Sequence, residues 1–325
     1  MWTSVFLLIV GLALITLASD WLVDGASALA RRVGVTEFVI GMTVVGFGTS
    51  MPELVSSLFS ALDGHGDMAI GNVTGSNLCN TLLILGITAL ILPLNYSKNN
   101  VKRDIPICIA ATALLSLMVL GWNPRGELST VNRWDGILLL VCFAAFMFYS
   151  FKTGKTNCDS ANNDAEVEAD TSRIMPLWKS ILLSVLGIVG LIVGGRIFVS
   201  STVDVAHALH VSDAFIAVTV MAFGTSVPEL ATCIVAAIKK RNDLALGNII
   251  GSNIFNILLI IGVSATATPL EVVSLTRVDL GLFMLSSILL LTAAGCFKRN
   301  KLDRGDAVIY LLLYFAYAGW LIYIQ

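Results

Sequence analysis

Charge is what this chain has least of. Its 325 residues include only 42 Asp, Glu, Lys and Arg, 13% of the total, against 56% hydrophobic residues and a mean hydropathy of +0.86. A water-soluble chain carries about a quarter of its residues charged, so that class is excluded. The net charge of −2 says nothing about nucleic acid, and with no basic patch interleaved with aromatics none is expected as a partner. Cysteine is scattered: Cys79, Cys108, Cys142, Cys158, Cys233 and Cys296 form neither a CxxC pair nor a disulfide framework and are read as small packing residues. Histidine is scarce too, and His207 and His210 lack the third ligand that zinc requires.

Catalytic motifs are also missing. There is no HExxH, GxSxG or Walker string, and "GHGD" at Gly64–Asp67 matches the GxGD string of intramembrane aspartyl proteases only literally, since it falls in a short loop without a "YD" partner. Its aspartate recurs as Asp243, where it reads as a helix start. Neither enzyme chemistry nor a cofactor is expected.

What is present is apolar sequence in lengths that cross a bilayer of about 30 Å. Ten such stretches fall at 2–19, 38–62, 68–92, 105–121, 134–151, 178–200, 214–238, 244–268, 278–297 and 305–323. None alternates like a barrel strand, so all are read as helices of an all-α polytopic membrane protein. "MWTSVFLLIVGLALITLASD" has no basic leader region and is read as the first span rather than a signal peptide. With ten spans the odd-numbered loops hold 16 of the 20 Lys and Arg residues, leaving only Arg125, Arg133, Arg196 and Arg277 on the other side. That bias places the odd loops in the cytoplasm and both termini outside.

The chain also repeats itself. Shifted by 176 residues, Gly46–Gly86 lies on Ala222–Gly262 without a gap, with 20 of 41 positions identical, and "FGTSMPEL" (Phe47–Leu54) returns as "FGTSVPEL" (Phe223–Leu230). Five spans separate equivalent points, an odd number, so the second copy enters the membrane from the opposite face. The expected organisation is two inverted five-helix repeats, residues 1–152 and 178–325, joined by an acidic cytoplasmic linker at 153–177. Inverted repeats place a substrate site near the midplane and allow alternating access to it. The linker is not a Ca²⁺ loop: aligned from Asp159, an EF-hand needs glycine at its sixth place, where this chain has Asp164.

The repeated motif is costly in a membrane. A carboxylate at the bilayer centre costs about 2.5 to 3.5 kcal/mol, and no Lys or Arg lies in the two motif spans to offset Glu53 and Glu229. Protonation or a cation from solution must neutralise them. Pro52 and Pro228 cannot donate to the carbonyls of Gly48 and Gly224 four residues back, which frees backbone oxygens at the same depth. Thr49 and Ser50 fall on the face of Glu53, and in the next span Asn72, Ser76 and Asn80 form a polar stripe, repeated as Asn248, Ser252 and Asn256. Carboxylate, amide, hydroxyl and carbonyl oxygens without His or Cys are a hard-cation ligand set. Ca²⁺ suits its number and tolerance better than Mg²⁺, and one Ca²⁺ or two Na⁺ cancel its charge of minus two. Small residues are also common helix-packing glue, the reading preferred for Gly41, Gly71, Gly75, Gly247 and Gly251, while Asn77 and Asn253 suit interhelical hydrogen bonds. Asn72 and Asn248 fit either role.

At "GTSxPEL" and "GNxxGSNxxN", each present twice, the chain resembles the Ca²⁺/cation antiporter superfamily on its sodium/calcium exchanger side, especially the compact prokaryotic members, over nearly its whole length. The resemblance implies a multi-pass protein of the plasma membrane, the inner membrane in a bacterium, exchanging Ca²⁺ for Na⁺ with no obligate protein partner. It implies Glu53 and Glu229 as central carboxylates, with Thr49, Thr225, Ser50, Ser226, Ser76, Ser252, Asn80 and Asn256 completing the ion sites beside the carbonyls of Gly46 and Ala222. It also implies that the first and sixth spans slide as a gate. Some relatives, including potassium-dependent exchangers, carry an acidic residue where this chain has Asn256, and proton-coupled ones carry a second acid in the motif helices. Amides at Asn80 and Asn256 therefore count against K⁺ dependence and H⁺ coupling. A cation channel would also need oxygen-lined polarity, and the inverted duplication favours a transporter over it.

Overall fold

The computed structural model describes residues 2–121, 129–164, 175–208, 224–273, 275–291 and 300–324, with the backbone alone at 154–164, 206, 322 and 324. Helices dominate. They are α1 (Trp2–Val33), α2 (Glu37–Thr49), α3 (Met51–Leu62), α4 (Gly66–Ile91), α5 (Asn100–Leu120) and α6 (Arg133–Asp164), then α7 (Leu177–Ala208), α8 (Val227–Ile238), α9 (Asn242–Ala267), α10 (Arg277–Leu291) and α11 (Arg304–Ile324). The two-residue strands β1 (Leu94–Asn95) and β2 (Lys301–Leu302) pair antiparallel, Leu94 opposite Leu302. Among the described residues, α1, α4, α5, α6, α7 and α9 are long and apolar enough to cross a membrane, and α2 with α3 makes a seventh as one bent span.

The backbone departs from α-geometry at matching places. A π-helical turn spans Cys79–Ile84 in α4 and another spans Asn256–Ile261 in α9, one residue apart under the 176-residue shift, and α2 carries a third at Gly41–Val45. Such turns concentrate at functional sites because they re-aim side chains.

Two compact units are formed, each drawing on both halves of the sequence: residues 1–49 with 144–251, and residues 50–143 with 252–325. In the first unit α1 lies along α7. Ile15, Ala18, Leu22, Val23 and Ala26 of α1 join Leu191 of α7 and Val227 and Ala236 of α8 in one buried cluster. The approach is close enough that a Cβ at Gly187 would stand 2.7 Å from Leu22 Cβ, and one at Gly25 would stand 2.7 Å from the Ser184 nitrogen. Without a hydrophobic drive between helices in lipid, such small-residue contacts are what holds them together. The opposite faces, with Phe6, Ile9, Leu12 and Leu17 on α1 and Ile181, Val185, Val189 and Val193 on α7, are exposed apolar surface of the kind lipid solvates.

Helix α1 is longer than the expected 2–19 span, running past Asp20 and Asp24 to Val33. Those carboxylates do not end it because Lys239 reaches both, at 2.7 and 2.6 Å, and Arg241 meets Glu37 at 2.9 Å. Burial works against the Lys239 charge, but hydrogen bonds to the two aspartates outweigh it and raise the Lys239 pKa. Helix α6 likewise continues to Asp164, so the expected linker at 153–177 begins inside a helix. A polar composition does not by itself stop a helix that nothing breaks. Residues 165–174 of that linker lie outside the described residues.

The second unit is built on the α3–α4 hairpin, closed by a turn in which Gly64 takes φ +83. Helix α11 packs on α4, where Leu311 approaches Gly86, and α5 meets α10 through a 2.8 Å hydrogen bond between the Thr112 and Ser287 hydroxyls. Gly136 of α6 lies against Thr266 of α9, and the ring of Phe143 meets Phe255 edge-on at 4.9 Å.

The packing role expected of small residues holds at Gly41, Gly247 and Gly251, where an added Cβ would press on Leu244 or Met42. At Gly71 and Gly75 no described atom lies within 4 Å of an added Cβ.

Gly187→Leu forces α1 off α7 and is expected to cost about 1 to 3 kcal/mol, the usual range for overpacking. The thermal unfolding midpoint of the detergent-solubilised protein should fall by roughly 3 to 10 °C; an unchanged midpoint would show that the helices do not depend on this contact.

Candidate cation site

From Gly48 and Gly224 onward, where both are described, the two copies of the motif fold alike. Helix α2 ends at Thr49, the chain turns at Ser50 (φ −84, ψ 6), and α3 restarts at Met51 on an axis bent by 47°. In the second copy the turn is Ser226 (φ −88, ψ 3) and α8 follows. Pro52 and Pro228 thus sit in the first turn of a new helix, where the missing N–H was surplus in any case. Leu54 and Leu230 close the new turns on the carbonyls of Ser50 and Ser226.

That geometry puts Glu53 and Glu229 in the opening turns of α3 and α8, each only 1% exposed. The positive end of the helix dipole favours a carboxylate there by about 0.3 to 1 kcal/mol, and up to about 2 in the best cases. This is less than the roughly 2.5 to 3.5 kcal/mol of a midplane charge.

In the second unit α3, α4 and the C-terminal half of α9 pack on one another. They carry Glu53 with Ser50, Ser76 with Asn80, and Ser252 with Asn256, all buried. Among the described residues Ser76 Oγ, Asn80 Oδ1, Ser252 Oγ and Asn256 Oδ1 have no hydrogen-bond partner. A buried oxygen without a donor costs about 1 to 3 kcal/mol, and several together are the environment a hard cation neutralises. The first unit carries Gly46, Thr49, Thr225, Ser226 and Glu229. There the Thr225 and Ser226 hydroxyls are also buried without a partner among the described residues, and Ala222 lies outside them.

The two stripe asparagines that fitted either role are interhelical brackets. Asn72 donates to Ser57 Oγ at 2.9 Å and Asn248 donates to Cys233 Sγ at 3.3 Å, equivalent contacts in the two copies since Ser57 and Cys233 are 176 residues apart. Thr49 Oγ1 donates to Asn248 Oδ1 at 3.2 Å, so both ends of that amide are engaged. Asn77 and Asn253 make the expected interhelical bonds: Asn77 Nδ2 donates to the Asn253 carbonyl at 3.1 Å, and Asn253 Nδ2 to Thr81 Oγ1 at 2.8 Å. Asn256 Nδ2 donates to Asn77 Oδ1 at 2.9 Å, a link that sequence spacing did not foresee. Ser57, Cys233 and Thr81 were missed because no periodicity marks a partner on another helix.

The chain is similar to known proteins over nearly its whole length. The family model "Sodium/calcium exchanger protein" matches residues 3–152 and 179–323. A putative antiporter, CaxA, of Alkalimonas amylolytica is 33% identical over 98% of both chains. An inner membrane protein, YrbG, of Escherichia coli is 35% identical over 93% of this chain and 92% of its own. The solved sodium-calcium exchanger NCX_Mj, soaked with Na⁺ and Ca²⁺, superposes with a TM-score of 0.81 over 97% of each chain at 31% identity.

Ser252→Ala removes a buried hydroxyl that has no partner among the described residues. It should leave the unfolding midpoint unchanged or higher in ion-free buffer, while shrinking the stabilisation conferred by added Ca²⁺. A midpoint that falls without ions would make Ser252 a packing residue instead.

Proposed function

Because the chain belongs to the sodium/calcium exchanger family, we propose that it is a secondary active transporter exchanging Ca²⁺ against Na⁺ across the membrane by alternating access. Membrane embedding and cation antiport are the family's properties; the coupling ion, the cycle and the residues below are our reading. The observation that carries it is the doubled motif, which buries Glu53 and Glu229 in the first turn of a helix restarted at a proline.

Glu53 and Glu229 supply the countercharge, matched by one Ca²⁺ or by two Na⁺, so the ions compete and cannot ride together. Thr49, Ser50, Thr225, Ser226, Ser76, Ser252, Asn80 and Asn256 supply neutral oxygens, with the Gly46 and Ala222 carbonyls. The partnerless buried oxygens of Ser76, Asn80, Ser252 and Asn256 support this assignment. Amides rather than acids at Asn80 and Asn256 favour Na⁺ over K⁺ or H⁺ as the coupling ion. Ten spans in two inverted repeats, with both termini outside, follow from the odd spacing of the copies and the sorting of basic loops. Helices α1 and α7, which pack as a pair with exposed apolar outer faces, are suited to move together as the gate.

The test is ⁴⁵Ca²⁺ uptake into proteoliposomes loaded with Na⁺, K⁺ or acid. Uptake should require Na⁺ inside, and Glu53→Gln or Glu229→Gln should each lower it about 100-fold, since about 3 kcal/mol of charge compensation is lost. Uptake indifferent to the trans ion would indicate a channel.

A further inference from the structure

The polar chain at the core of the second unit has a direction. Asn77, Asn253 and Asn256 are all at most 2% exposed. The backbone carbonyl of Asn253 can only accept a hydrogen bond, so the group of Asn77 that faces it, at 3.1 Å, must be the Nδ2 amine. The Oδ1 of Asn77 is thereby turned the other way, toward Asn256. An acceptor in that position selects the amine of Asn256, which donates to it at 2.9 Å. The carbonyl oxygen of Asn256 is left as the end that faces no protein donor among the described residues.

This matters because the two ends of an amide are nearly identical in shape and opposite in polarity. Oδ1 attracts a cation and Nδ2 repels one, and packing cannot tell them apart. We propose that Asn77 is a positioning residue for ion binding: it holds the Asn256 amide with its oxygen toward the transported cation and so sets the cation affinity. The inference rests on reading Asn256 as an ion ligand. The same chain also specifies an amide at 256, because a carboxylate there would oppose the Asn77 oxygen unless Asn77 turned over and gave up the Asn253 carbonyl.

The test uses the full chain in proteoliposomes, with ⁴⁵Ca²⁺ as the probe. Asn77→Leu, similar in size and without either hydrogen bond, should raise the half-saturating Ca²⁺ concentration about tenfold, the effect of freeing one buried amide to invert. The maximal rate should stay within about twofold of wild type, since a ligand's orientation and not the conformational cycle is altered. Asn77→Asp should hold affinity within about threefold of wild type: protonated, its carboxyl donates to the Asn253 carbonyl as the amine does and still offers Asn256 an acceptor. Asn256→Leu should weaken Ca²⁺ at least as much as Asn77→Leu, and the double variant should be no worse than Asn256→Leu alone. Losses that multiply, an unchanged half-saturation in Asn77→Leu, or an Asn77→Asp that behaves like the leucine variant would each overturn the proposal and leave Asn77 as helix glue. If Asn256→Leu binds Ca²⁺ normally while Glu53→Gln does not transport, the ligand role of Asn256 fails and this inference goes with it, while the exchanger reading stands.

Discussion

A carboxylate buried in an apolar bundle is the constraint from which the rest of this molecule follows. Glu53 and Glu229, each 1% exposed, lie in helices that start afresh at a proline. The restart gives each side chain the positive end of a helix dipole, which recovers part of the cost of burial but not all of it. The proposed function assigns what remains to a mobile cation. In the first copy the carbonyl of Gly46, just before the break, meets the Thr49 hydroxyl at 3.4 Å.

The surrounding polar residues divide by whether their hydrogen bonds are satisfied. Asn72 and Asn248 bind their neighbouring motif helices in the same way in both copies, through Ser57 and Cys233. They hold the hairpins together. Ser76, Asn80, Ser252 and Asn256 keep oxygens that no described group bonds. Burial without partners is destabilising for a structure, and Ser27, Thr74, Ser264 and the Asn253 Oδ1 share that condition, so it supports the proposed ligand set without by itself defining it.

The duplication is faithful in backbone and unequal in side-chain bonding. The turns at Ser50 and Ser226 agree within a few degrees, and the π-helical turns recur one residue apart. Yet Asn253 reaches the Thr81 hydroxyl, while its counterpart Asn77 uses a backbone carbonyl. The cause is one substitution between the copies, since Thr81 corresponds to Ile257, which has no hydroxyl to offer. Two halves that began alike have therefore acquired different internal wiring, and the polarity imposed on Asn256 is a product of it.

Composition, run lengths and the 176-residue repeat determined the membrane class, the helices and the glutamates, because each depends on local apolarity or on residue identity at a fixed spacing. They also separated Asn77 and Asn253 from the stripe, since one residue turns a side chain about 100° around a helix. The length of α1 was not legible, because a local apolar run does not show that Lys239, more than 200 residues away, pairs with Asp20 and Asp24. Nor was the fate of Asn72 and Asn248, which depended on what stood opposite on another helix. Which end of the Asn256 amide points where was decided by tertiary structure alone: the two ends are equal in size, and only an acceptor brought from a different helix can tell them apart.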